Sequence, residues 1–347
     1  MSKKKKIFIS IIAVILLPAM FFAGYWARSA GFDISNIWSS DKASFDSSPE
    51  DETPLTDPYL KEGAVYNGSF REMLSDEAKQ IYDAMKKHFY EERRFDELKI
   101  DKFSSRTDQH MIDIAWCALY YDCPEIFWVL PDDGHNEFIR NNDKLESVVL
   151  HYFESYTGSY YDIDKVFSGM DGAVAAIKST RKSESRYDTL KAINSYICHN
   201  SGYDTAFMND GVDTVECTTL APLFGGGNND RKLICCGYAK ALKGLCNRFD
   251  IPCVIINGFV GAEVQGEVAS NVGHTWNYVQ MEDGKWYVMD VTWNNADHPL
   301  YFLIGSQSEL MSGRTKEKGV GFTVGGDVVT LERIMTYPEL SEEDYKH

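Results

Sequence analysis

Hydrophobic positions in this chain begin as one unbroken run, disappear, and then return with helical or strand spacing. Residues 7–27 (IFISIIAVILLPAMFFAGYWA) contain no charged side chain. At a helical rise of ~1.5 Å per residue this stretch reaches about 30 Å, enough to cross a bilayer and longer than the apolar part of a cleaved signal. Residues 28–57, which include SSDKASFDSSPEDETPL, have no apolar period and read as a solvated linker. Ser75 is suited to cap a helix running to about residue 94, in which Ile81, Met85, His88 and Phe89 recur at helical spacing. A second helix is predicted over 108–120. It is followed by a short strand in PEIFWVLPDDG, closed by turn residues, and by another in SVVLHYF. Residues 58–180 thus read as a small mixed α/β region.

From 181 to 347 the pattern sharpens into a second region. Leu190, Ile193, Tyr196 and Ile197 stripe a helix over 187–199, and a loop, FGGGNNDRK, follows further on. This glycine run lacks the GK[ST] ending of a phosphate loop and reads as an ordinary loop, with a flexible segment near an active-site mouth as the alternative. In ICCGYAKALKGLCNRFDIPC a helix begins at about Cys235, with Ala239, Leu242, Cys246 and Phe249 on the same face as that cysteine. CVIINGFV, HTWNYVQ and KWYVMDVTW read as three strands, the last two joined by MEDGK. If Glu282, Asp283 and Gly284 form a three-residue loop with Gly284 left-handed, Met281 faces Lys285, Trp276 faces Asp290 and His274 faces Thr292. His274 and Asp290 then become diagonal neighbours on one sheet face, about 7–8 Å apart at Cα. A four-residue loop would put them on opposite faces. The expected architecture is α+β, a helix carrying Cys235 packed on an antiparallel sheet.

Charge adds topology. Lys3 to Lys6 precede the apolar run and the rest of the chain is acidic, with 52 Asp and Glu against 35 Lys and Arg overall, so the basic tail (1–6) is expected in the cytoplasm and the bulk outside. The expectation is a single-pass membrane protein held by its N-terminal helix, with its substrate at the cell envelope. The alternative is a secreted protein, because Pro18, Ala27, Ser29 and Ala30 also suit a cleaved signal. A net charge of -17 repels nucleic acid, so no such partner is expected.

Cys235 at a helix start meets unpaired backbone N–H groups and the positive dipole end, which favour thiolate over thiol. Beside a paired imidazole and carboxylate, that suggests a Cys–His–Asp triad. No C-x-x-C pair, H-E-x-x-H helix or D-x-D-x-D-G loop accompanies the eight cysteines, so neither metal nor other cofactor is expected. ICCGYAKAL, FDIPCVIINGF and GHTWNYVQMEDGKWYVMDVTWN, in that order, resemble the bacterial transglutaminase-like superfamily, of papain-like fold, and more narrowly its exported clostridial members. The resemblance spans roughly residues 187–308. It implies that Cys235, the cysteine two places before Gly-Tyr-Ala, is the nucleophile, with His274 and Asp290 completing the triad. It further implies acyl transfer from amide bonds of proteins or peptides through a thioester, by a peptidase, amidase or transglutaminase. Trp276 and Tyr238 are expected to contact substrate, whereas Trp276, Trp286 and Trp293 read first as core residues, with shielding of the thioester as the alternative role. Two departures stand out: Leu233-Ile234 where relatives carry Gly-Val, and a second thiol, Cys236, which is the alternative nucleophile. The competing class is a catalytically silent surface module that keeps the fold for binding.

Overall fold

The computed structural model describes residues 58–61, 63–101, 108–131, 135–141, 144–205, 215–225, 231–264, 267–316 and 336–347. The basic tail, the apolar run and the linker therefore lie outside the described residues, as does the glycine-rich stretch 226–230. Among the described residues no helix is long and apolar enough to cross a membrane.

Helix α1 (Asp76–Met85) is capped by Ser75, whose hydroxyl accepts from the Ala78 N–H, and it widens into a π-helical segment at Lys86–Glu91, short of residue 94. Strand β1 (Leu98–Asp101) precedes α2 (Gln109–Asp122), which Asp108 caps through the Met111 N–H. Strands β2 (Glu137–Asn141) and β3 (Lys144–Leu150) complete a three-stranded sheet in the order β1-β3-β2. His151 interrupts the expected SVVLHYF strand, and Tyr152–Glu154 pairs instead with Val129–Pro131. An 18-residue helix, α3 (Ile163–Thr180), was not expected from the sequence. Asp162 caps it, and it packs beside α4 (Arg186–Asn200).

The second region is a helix laid on a sheet, as expected. Helix α5 (Cys235–Arg248) packs on β4 (Cys253–Val264) and β5 (Glu267–Gln280), joined in the order β7-β6-β5-β4-β8 by β6 (Trp286–Met289), β7 (Phe302–Ile304) and β8 (Arg314–Lys316). Every described pairing in this sheet is antiparallel. Buried Asn277 docks the helix to the sheet by donating to the Ala239 carbonyl at 3.0 Å.

The hairpin register matches the expectation. Trp286 pairs with Gln280 and Met289 with Asn277, Met281 N–H donates to the Lys285 carbonyl, and Gly284 has φ +79°. That backbone conformation strains any residue with a Cβ, so a glycine belongs there. Strand β6 stops at Met289, earlier than KWYVMDVTW suggests, because Asp290 donates its N–H to the Tyr301 carbonyl and turns the chain. One apolar cluster runs from Tyr66 through both regions to Tyr337.

Candidate active site

Three elements converge at the end of the hairpin. Cys235 is the first residue of α5, in the helix's first turn. His274 lies on β5, and Asp290 occupies the turn after β6. The turn is held from outside: Asn294 accepts from the Tyr301 N–H and donates to Asn194 of α4, whose own amide donates to the Asn295 carbonyl.

His274 and Asp290 meet as the register implied, with Nε2 at 2.8 Å from Oδ2, and their side chains are 4% and 0% exposed. Burial alone would push the Asp290 carboxyl up, but the adjacent His274 and the Arg314 guanidinium hold it down at about 2. An ionised carboxylate only accepts, so Nε2 carries the ring proton and Nδ1 is left as the basic nitrogen. The imidazole is also stacked, 4.7 Å from the Trp293 ring at 20° and 5.9 Å from Trp276 at 25°.

Cys235 is buried and its sulfur interacts with the backbone N–H of Thr275, the residue after His274, and with the Asp290 charge. Cys236, half-buried, lies 3.5 Å from Thr275 Oγ1. The two thiols share a hydrogen bond, and a single proton between them acts in opposite directions. It lowers Cys236 to about 6 against the effect of burial, with Lys240 and Thr275 assisting, and together with burial it raises Cys235. The two thiols therefore titrate as a coupled pair. All eight cysteines are free thiols, and among the described residues no three His, Cys, Asp or Glu side chains gather as a metal site would require.

The remaining expected site residues are placed behind this group. Trp276 is 1% exposed and Tyr238 6%, which argues against direct substrate contact through their rings. Trp286 sits at the far end of the hairpin against Tyr66, away from His274. Sequence reasoning missed Arg314. Its Nη2 donates to Asp290 Oδ2 at 2.7 Å, with its own side chain 1% exposed. No motif flags it, since it follows Asp290 by 24 positions and sits in a three-residue strand.

A helix-borne thiol, a strand-borne imidazole and a buried carboxylate on an α+β scaffold are the groups that cysteine enzymes with a Cys–His–Asp arrangement use. Residues 174–291, about a third of the chain, match the model of the transglutaminase-like superfamily, which bears out the resemblance read from the three sequence blocks. No curated protein matches the chain significantly. Among solved structures, a TGase is 19% identical with a TM-score of 0.29, covering 45% of this chain and 43% of that one. The periplasmic domain of TgpA from Pseudomonas aeruginosa, bound to ethylmercury, is 14% identical with a TM-score of 0.28, covering 49% of this chain and 67% of that one. The chain thus spans less than half the length of that TGase.

Proposed function

We propose that the protein is a cysteine acyl-transfer enzyme acting on amide bonds of proteins or peptides, with Cys235 as nucleophile, His274 as acid–base and Asp290 as the group that orients the imidazole. The observation that carries this reading is the buried 2.8 Å contact between His274 Nε2 and Asp290 Oδ2. It leaves Nδ1 to exchange a proton with sulfur, beside a helix start that favours a thiolate.

In the first half-reaction the Cys235 sulfur forms a bond to the amide carbonyl carbon. The C–N bond then breaks, and the amine leaves with the proton that His274 took from the thiol. A thioester remains. In the second half-reaction water or another amine gives a proton to His274 and attacks the same carbon, the C–S bond breaks, and the proton passes from His274 to the departing sulfur, restoring the thiol. Water makes the enzyme a peptidase or amidase, and an amine makes it a transglutaminase. Cys235 is chosen over Cys236 because it opens the helix and its sulfur meets the Thr275 N–H, whereas Cys236 lies against the Thr275 hydroxyl.

The test is site-resolved alkylation of the fully reduced chain by iodoacetamide at pH 6, where only an activated thiol reacts fast. One rapid label is expected, absent in Cys235→Ala, retained in Cys236→Ala and slowed in His274→Ala. A label that survives Cys235→Ala and vanishes in Cys236→Ala would transfer the role to the neighbour. No rapid label at all would leave a silent binding module as the better reading.

A further inference from the structure

Arg314 is a buried guanidinium with an unusual set of neighbours. Its carbon lies 4.2 Å from the Trp293 ring centre, 4.7 Å from Tyr301 and 5.2 Å from Trp276, while Nη2 reaches the Asp290 oxygen that also accepts from His274. Nε and Nη1 are buried without a hydrogen-bond partner among the described residues. Desolvating a guanidinium is unfavourable unless it is paired, and here the paired group is Asp290. Trp293 lies against both the guanidinium and the imidazole, so the two groups share one aromatic wall as well as one carboxylate oxygen.

The backbone is built to bring this side chain in. Strand β8 pairs with β4, setting Arg314 opposite Val260 and Lys316 opposite Gly258. A Cβ at Gly258 would lie 2.3 Å from the Thr315 carbonyl oxygen and 2.6 Å from the Trp276 ring, so the strand approaches this closely only over a glycine.

We infer that Arg314 is a positioning residue of the site: it fixes the Asp290 carboxylate in the rotamer that meets His274 Nε2, and through it the imidazole's orientation toward Cys235. The inference rests on the reading of Cys235, His274 and Asp290 as the reacting group. A carboxylate oxygen gripped from one side by a guanidinium and from the other by an imidazole N–H cannot rotate without breaking a charge-assisted hydrogen bond. The aromatic walls keep water from replacing either partner. A merely structural arginine would stabilise the fold equally well without controlling the ring.

Two readouts on the full chain separate these cases: the downfield proton NMR signal of the imidazole N–H, assigned by its loss in His274→Ala, and the Cys235 alkylation rate at pH 6. In Arg314→Ala the signal is expected to broaden away and the rate to fall roughly tenfold or more. Guanidinium chloride far below denaturing concentration should restore both by refilling the cage, while sodium chloride at equal ionic strength should not. Arg314→Lys, which keeps the charge but not the planar fork, should fall between and carries the test if the alanine variant fails to fold. An unchanged signal and rate in these variants, or a loss that guanidinium leaves unrepaired, would overturn the inference. A parent chain with no rapid thiol, whose imidazole signal still follows Arg314 and guanidinium, would instead sink the catalytic reading and leave the hold on Asp290 standing.

Discussion

Asp290 shows how one buried side chain couples stability to pH. Burial opposes its ionisation, yet His274 and Arg314 hold the carboxyl at about 2, below the ordinary 3.8. A folded value below the unfolded one means that the ionised group stabilises the fold. That contribution is complete above about pH 4 and is lost as pH falls through about 2. Its size is on the order of 2 kcal/mol. Asp290→Asn should therefore lose the acid-sensitive part of unfolding between pH 4 and pH 2. Near neutral pH it should be less stable than the parent by roughly 3–5 kcal/mol, because Arg314 stays buried without its countercharge. Denaturant unfolding at pH 7 and pH 3 checks both, and a parent–variant difference that is the same at the two pH values would refute the assignment. At this scale the His274–Asp290 contact was legible because each residue sits in a short, chemically distinctive block and the Gly284 turn sets the register that joins them. Arg314 was not, since a buried arginine in a three-residue strand has no period or motif to mark it.

At the scale of elements, the helix–hairpin core follows directly from its apolar spacing, whereas one strand boundary and one whole helix do not. Strand β6 ends at Met289 because the Tyr301 carbonyl captures the Asp290 N–H, a contact between residues that alternation along one strand cannot foresee. Helix α3 escapes notice because Gly169 and Gly172 lie mid-helix, where glycine lowers intrinsic propensity. The backbone of Phe224 presses on the first of these, within 2.1 Å of where a Cβ would stand. The docking of β8 gives an element-scale prediction. Gly258→Ala must push the Thr315 carbonyl away, displacing the strand that carries Arg314, at a stability loss of about 1–3 kcal/mol. If strand docking and the arginine's hold are one feature, Gly258→Ala and Arg314→Ala should be strongly non-additive in a double-mutant cycle of unfolding free energies. Additive losses would mean that the close approach serves packing alone.

Over the whole molecule, the contacts that unite the two regions are those the sequence conceals most, because they join distant residues. The Tyr66 hydroxyl donates to the Cys253 carbonyl at 2.9 Å across 187 positions, and its ring meets Trp286 edge-on. Asp122, at the end of α2, accepts from the Phe70 and Arg71 N–H groups and from the Tyr82 hydroxyl, while its own carbonyl takes the Asn247 amide from the end of α5. Lys240, one turn beyond Cys236, donates to the Tyr120 hydroxyl at 2.6 Å. Hydrophobic patterning divides the chain near residue 180, yet these bonds and the continuous apolar cluster tie α5 to the region before it. Stability should accordingly be shared. Phe70 is fully buried, packed between Tyr66 and Tyr121. Phe70→Ala is expected to destabilise by about 3–5 kcal/mol through the cavity it leaves. The loss should fall on both regions at once, although Phe70 is far in sequence from the hairpin. Tryptophan fluorescence, with reporters in α2 and in the hairpin, and far-UV circular dichroism should give coincident unfolding curves in parent and variant. If the variant instead loses α2 first and keeps a folded hairpin with a reactive Cys235, the sheet and α5 stand on their own, and the shared core is contact without cooperativity.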